Sequence, residues 1–260
     1  MLIIILVGFF IGALIGMTSM GGGAMMTPIL IIFLHIEPAI AIGSDIIYGA
    51  ITKSVGTWQH LRQKTVDLKL VKHLAYGSVP GSIIGALSSD WLRHAVTNSD
   101  EYLKLFLGLA ICFSASILTI SLFFDVRHLK TRLHNILQVE KFQLPYTILA
   151  GFLGGTLVGL TSVGAGSIML VLMLIIYNTS TRKLVGSDIA HATVLLFTSG
   201  IVHLFAGNVD WLLVLGLLIG SIPGVLIGSR LAHFVPLRYL KIVLVLVLTF
   251  LGGQLVYRFF

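Results

Sequence analysis

Cysteine is almost absent: Cys112 stands alone in 260 residues. No intrachain disulfide framework can form from it, and no cysteine-based metal cluster. Charge is scarce as well, with Asp, Glu, Lys and Arg at 10% against 57% apolar residues. A soluble domain of that composition lacks the polar surface to meet water. The few charges lie in clusters and leave uncharged tracts such as Leu105–Phe124 and Leu212–Leu226. Tracts of about 18 residues or more suffice to cross a bilayer. The length leaves room for about ten short membrane segments and no separate soluble domain. Acids are the rarer sign, so the formal net charge is +7. The basic residues fall in loops between apolar segments, a distribution that follows the positive-inside rule and implies no nucleic-acid partner. The start, Met1-Leu2-Ile3, has no basic n-region, and no small-residue cleavage pattern follows. It reads as a first membrane segment, not as a removable leader.

What is abundant is glycine, and it is arranged twice. Shifted by 143 residues, the distance from Gly8 to Gly151, the chain lies on itself without a gap to about Asp90. Thr18-Ser19-x-Gly21-x-Gly23 falls on Thr161-Ser162-x-Gly164-x-Gly166. Gly43-Ser44-Asp45-Ile46 repeats as Gly186-Ser187-Asp188-Ile189, and Val66-Asp67 as Val209-Asp210. Gly77-Ser78-x-Pro80-Gly81-x-x-x-Gly85 returns as Gly220-Ser221-x-Pro223-Gly224-x-x-x-Gly228. About a third of the aligned positions are identical, which marks an internal duplication of the kind transporters show.

Each copy holds five apolar segments, at about 1–17, 24–36, 38–61, 70–89 and 102–124, then 145–160, 167–177, 184–206, 211–229 and 239–257. The expected fold is therefore an all-α integral membrane protein of about ten helical segments. Residues 1–124 form the first repeat, 125–143 a cytoplasmic linker and 144–260 the second repeat. Segments 24–36 and 167–177 are too short to cross alone at 1.5 Å per residue, so they are expected to be broken or re-entrant helices. Five crossings, or three if each short segment folds back, is an odd number either way. The second repeat should then be inverted relative to the first.

Loop charge points the same way. Alternate assignment of the loops gives one face Arg62, Lys64, Lys69, Lys72, Arg127, Lys130, Arg132, Lys141, Arg182, Lys183, Arg230, Arg238 and Lys241. The other face receives Arg93, Lys104 and Arg258. The richer face should be cytoplasmic, which places both termini outside.

Two constellations could carry chemistry. The first is the pair of Gly-rich elements: Thr18, Ser19, Gly21, Gly22 and Gly23, and Thr161, Ser162, Gly164 and Gly166. Read as helix breaks at membrane depth, their hydroxyls can cap a helix N-terminus while glycine lets backbone N–H groups approach a ligand. Helix N-termini favour anions, and two of them should face each other near the midplane. Turns that serve packing alone are the competing reading. The second constellation is the set of ionisable groups inside predicted segments: Asp45, Lys53, Asp188 and His191. Each such charge costs roughly 2.5–3.5 kcal/mol on insertion scales, so a partner or an aqueous cavity is expected. Lys53 is a candidate substrate ligand. Asp45, Asp188 and His191 are candidates for coupling or gating, because an Asp beside a His can exchange a proton near neutral pH. Helix pinning by the aspartates and snorkelling by Lys53 compete with that reading. His60 and His203, each seven residues before a loop aspartate, are expected to make hydrogen bonds at helix ends. Gly8/Gly12/Gly16 and Gly77/Gly81/Gly85, with their repeats, read as close-packing faces. Neither a metal nor another cofactor is expected. An intramembrane enzyme would need a nucleophile–base pair or a metal set, and the sequence has no HExxH and no GxSxG. An anion channel remains the alternative within the transport class.

In order and spacing, Thr18–Gly23, Gly43-Ser44-Asp45, His60, Val66-Asp67 and Ser78-x-Pro80-Gly81 resemble the sulfite exporter TauE/SafE family of membrane permeases. The resemblance covers both copies and omits only 125–143. It implies a cell-membrane secondary transporter, preferentially an exporter, for small sulfur-containing anions such as sulfite or organosulfonates. Many members of that family carry a hydroxyl residue where Asp45 and Asp188 stand here. The partners implied are the small anion and the lipid bilayer, and a homodimer is one assembly open to it.

Overall fold

A computed structural model of the chain describes residues 1–18, 23–123, 139–164, 166–177, 179–231, 237–257 and 259. Among them are ten α-helices and no strand. They are α1 (Leu2–Thr18), α2 (Gly23–Phe33), α3 (Pro38–Arg62), α4 (Leu68–Ala95) and α5 (Ser99–Phe123), then α6 (Val139–Thr161), α7 (Ser167–Ile176), α8 (Thr181–Phe205), α9 (Trp211–Leu231) and α10 (Leu237–Tyr257). The expected segments reappear with ends moved by a few residues. The clearest departure is α6, whose first turn forms inside the stretch read as linker. Residues 124–138 of that linker lie outside the described residues.

Among the described residues, four helices contain a stretch long and apolar enough to cross a membrane: Ser99–Ile120, Gln143–Thr161, Arg182–Phe205 and Trp211–Gly228. At 11 and 10 residues, α2 and α7 are only about 16 Å long and cannot. Large apolar side chains such as Phe10, Trp91, Phe113, Leu153, Leu226 and Phe250 point outward, as a lipid-facing surface requires.

Helix starts follow local chemistry. Asp67 Oδ1 accepts the N–H groups of Lys69 at 3.1 Å and Leu70 at 3.2 Å, capping α4. Its repeat equivalent, Asp210, does the same for Leu212 at 2.8 Å and Leu213 at 3.1 Å at the start of α9. Pro38 occupies the first turn of α3, where its missing N–H leaves nothing unsatisfied.

Packing follows the repeat, but across copies. α4 lies along α6, and α1 lies along α9. Glycines set these contacts: Gly77, Gly81 and Gly85 meet the backbone of Ile148, Phe152 and Thr156, and Gly220, Gly224 and Gly228 meet that of Ile5, Phe9 and Ala13. In return Gly151 and Gly155 press on Leu74 and Ser78, while Gly8 and Gly12 press on Leu217 and Ser221. Each contact in one half reappears in the other after the same shift. With no side chain on the ladder, the backbones approach closely enough for dense van der Waals packing, the main attraction available to helices in lipid. Equivalent helices pair as well, α5 on α10 and α3 on α8, and α4 also packs on α8. Thr57 Oγ1 lies 2.7 Å from Thr193 Oγ1, whereas Gly49 faces Leu196 and Gly200 faces Ile47, so α3 and α8 run antiparallel.

Candidate functional site

The α3–α8 pair carries all four candidate ionisable groups. Asp45 and Asp188 are 2% and 5% exposed, and His191 is 1% exposed, so none meets solvent freely. Asp188 lies near the level of Thr57, whose hydroxyl also reaches Ile189 O at 3.3 Å. Asp45 is then about 18 Å away along the helix pair. Lys53 is half-buried between them and in electrostatic range of both acids and of His191. The position equivalent to Lys53 in the second copy is Leu196, so this ammonium has no counterpart across the pair; the other lysine of the two helices, Lys183, lies exposed at the start of α8.

Asp45 is tied down. Thr27 Oγ1 on α2 donates to its Oδ2 at 2.6 Å, and Ser162 Oγ donates to the same oxygen at 2.8 Å. Both donors are buried. Thr27 was not a sequence candidate, because a lone hydroxyl beside Pro28 in an apolar tract carries little signal. Its equivalent, Leu170, is apolar, and that difference was the available clue.

The two Gly-rich elements meet at this carboxylate. Gly23, the first residue of α2, sits so close to Ser162 that an added Cβ would lie 2.6 Å from Ser162 O and 3.6 Å from Asp45 Oδ2. Ser162, Gly164 and Gly166 have positive φ of 63°, 109° and 132°, the irregular turn that separates α6 from α7. The expected capping role is not what their hydroxyls do. Gly166 stands at the N-cap of α7 with no side-chain bond. Ser162 is drawn instead to the carboxylate, a stronger acceptor than a neutral group. Thr161, at the end of α6, donates to Leu157 O at 2.7 Å and accepts from Val163 N at 3.2 Å. Ser19, Gly21, Gly22 and the Thr18 side chain lie outside the described residues.

The Asp188 end is built differently. His191 Nε2 pairs with Ser78 Oγ of α4 at 2.7 Å. Among the described residues, neither Asp188 Oδ1 nor His191 Nδ1 has a hydrogen-bond partner. From sequence Ser78 was noted only within the repeated Ser-x-Pro-Gly element, with no role at the site. In the first copy Tyr48 takes the place of His191, and its hydroxyl approaches Ser221 without reaching hydrogen-bond geometry.

The histidines at the helix ends behave as expected. His60 Nδ1 pairs with Thr65 Oγ1 at 2.8 Å, and His203 Nε2 with Gly159 O at 2.9 Å. The two ends of the bundle also differ in charge. At one, the Arg62–Asp67 loop abuts the start of α8, where Arg182 and Lys183 lie. At the other, Arg93 grips Glu37 through Nε at 2.7 Å and Nη2 at 3.1 Å, and also donates to Asn208 Oδ1.

Known proteins resemble this chain in sequence. YjnA, a probable membrane transporter protein of Bacillus subtilis, is 41% identical over 97% of this chain and 98% of its own length. Two further probable membrane transporter proteins of that organism, YunE and YdhB, are 25% and 26% identical over 98% and 92% of the chain, and over 97% and 94% of their own lengths. No solved structure matches significantly. The sequence profile of the sulfite exporter TauE/SafE family matches residues 4–255, nearly the whole chain. The chain belongs to the sulfite exporter TauE/SafE family and is a membrane transporter of that type.

Proposed function

We propose that the protein is a secondary transporter of small sulfur-containing anions such as sulfite or organosulfonates, with export preferred and a proton as coupling ion. It works in the cell membrane as two inverted repeats, with both termini outside and the Arg62–Asp67 loop in the cytoplasm. The observation that carries this reading is the meeting of Gly23 and Ser162 at Asp45. Helix breaks from opposite copies converge beside a buried ionisable group, with Lys53 within electrostatic range to receive an anion. Irregular backbone at membrane depth is tolerated where it is buried in protein or lines a cavity, and paired breaks are how inverted-repeat carriers hold ions. The α1–α9 and α4–α6 seams lie between copies, so rocking one copy against the other would load them.

Purified protein in liposomes tests the reading directly. Sulfite and a panel of sulfonates should be taken up with saturable kinetics that respond to an imposed pH gradient. Flux proportional to concentration and indifferent to pH would favour an anion channel instead. The orientation has its own test in a C112S background. A membrane-impermeant thiol reagent outside cells should reach Gly207→Cys, at an exposed position in the Asn208 loop, and miss Lys64→Cys, exposed in the Arg62–Asp67 loop; the reverse pattern overturns the assigned topology.

A further inference from the structure

The two buried acids occupy equivalent positions but have unequal surroundings. Asp45 Oδ2 already accepts two hydroxyl hydrogen bonds, from Thr27 and Ser162, which fix the carboxylate between α2 and the turn after α6. Asp188 has Leu170 where Asp45 has Thr27, and its Oδ1 has no hydrogen-bond partner among the described residues. Lys53 lies about 12 Å along the helix from Asp45, but only about 6 Å from the level of Asp188. With both acids ionised, one ammonium faces two carboxylates, and an arriving anion would meet net negative charge.

We propose that the two acids have separate roles: Asp45 is a fixed counter-charge that locks the two helix breaks together, and Asp188 is the acid that takes the coupled proton, releasing Lys53 to hold the substrate anion. This rests on the reading of the α3–α8 pair as the transport site. The Asp188 carboxylate and the anion compete for the Lys53 ammonium, so a proton on Asp188 and an anion on Lys53 bind together and move together. His191, three residues on and paired to Ser78 through Nε2, leaves Nδ1 available to relay that proton.

The surroundings of Asp188 contain few other candidates. α3 presents Lys53, with Tyr48 and Asp45 beyond it and His60 and Arg62 near its end, and α8 itself adds Arg182 and Lys183 in its first turn. α4 offers the Ser78 hydroxyl, its ionisable residues being confined to 69–76 and 90–94. α7 carries none, and α6 has Glu140, Lys141 and Tyr146 near its start. The adjacent loop contributes Asp67, whose carboxylate is engaged in capping α4.

Infrared difference spectroscopy of the purified protein in lipid tests this without reference to the substrate. Acidification across roughly pH 5 to 8, the interval in which His also titrates, should raise a protonated-carboxyl C=O band typical of a buried acid. The band should vanish in Asp188→Asn, persist in Asp45→Asn and return, shifted, in Asp188→Glu. At constant pH, sulfite should enlarge it in the parent protein and leave it unchanged in Lys53→Met. Loss of the band in Asp45→Asn with retention in Asp188→Asn overturns the assignment, as does a parent protein with no such band. If the band assigns to Asp188 but sulfite is neither bound nor transported, the choice of substrate fails and the division of roles stands.

Discussion

Ser44 and Ser187 show how closely the two copies agree. The Ser44 hydroxyl accepts the amide of Asp210 at 2.9 Å, and the Ser187 hydroxyl accepts that of Asp67 at 2.8 Å. Each serine pins the start of a cap in the opposite copy. One residue further on, the agreement ends. Asp45 is held by two hydroxyls, while Asp188 keeps an oxygen without a partner among the described residues. Backbone contacts are shared because both copies must close the same seams. Charged side chains diverge because one central site has room for one arrangement of charge. The duplication thus supplies the frame, and the departures from it mark where function is to be sought.

The largest effects should come from the shared frame, and should be equal in the two halves. Gly77→Leu and Gly220→Leu would each drive a side chain into partner backbone, at Ile148 and Ile5 respectively, and backbone cannot move aside as a rotamer does. Overpacking costs typically about 1–3 kcal/mol and more where nothing yields. Both variants should therefore lose most of the monodisperse protein recovered in detergent. Loss in one and not the other would break the equivalence of the seams.

The next effect should separate the copies. Thr27→Val removes a buried donor from the Asp45 carboxyl and should lower stability by about 1–3 kcal/mol. Leu170→Val, the equivalent change, removes one methylene and should cost about 1 kcal/mol. Thermal unfolding in detergent reads both. Equal losses would mean that the Thr27–Asp45 bond contributes little. Below these, Ser44→Ala and Ser187→Ala should each cost about 1 kcal/mol. Their double variant should show the sum within about 0.5 kcal/mol, since the sites sit toward opposite ends of α3 and α8 with no shared partner.

The frame was legible in the sequence because bilayer thickness and glycine spacing are one-dimensional signals. α3 begins at Pro38 as expected and ends one residue beyond the expected Leu61, and Gly8, Gly12, Gly77, Gly81 and Gly85 repeat in contact as they repeat in sequence. The site was legible only in its parts. Asp45, Lys53, Asp188 and His191 declare themselves as charges in apolar tracts, and the Gly-rich elements as breaks. Their joining was hidden, because it depends on α3 lying antiparallel to α8 and on Ser162 reaching across copies to Asp45. Local rules also misdirect at Ser162, where a cap is the obvious use for a hydroxyl until a carboxylate comes within reach. Arg93 and Glu37, far apart in sequence with no repeat partner of matching charge, gave no signal at all.

That last pair supports the smallest prediction in energy and the sharpest in comparison. The end of the bundle bearing Asn208 is cross-linked by Arg93, which holds Glu37 at the start of α3 and Asn208 in the loop before α9. At the other end the equivalents of Glu37 and Asn208 are Ser180 and Thr65, neither of them charged. Among the described residues this ion pair fastens only the Arg93 end, and its side chains remain about a quarter to a third exposed. An exposed pair contributes about 0.2–1 kcal/mol, so Glu37→Gln should lower thermal stability by less than about 1 kcal/mol, and salt should erase the difference. Accessibility should change more than stability. Ala41, fully buried one turn into α3, becomes a reporter as Ala41→Cys in a C112S background. A membrane-impermeant thiol reagent should label it faster from the Asn208 side when Glu37→Gln is present, because opening that end no longer requires breaking a bidentate bond. A cysteine at Leu184, the repeat equivalent of Ala41 and equally buried at the opposite end, should label at an unchanged or lower rate. Equal acceleration at both ends would mean that the pair stabilises the whole bundle and does not favour closure of one side.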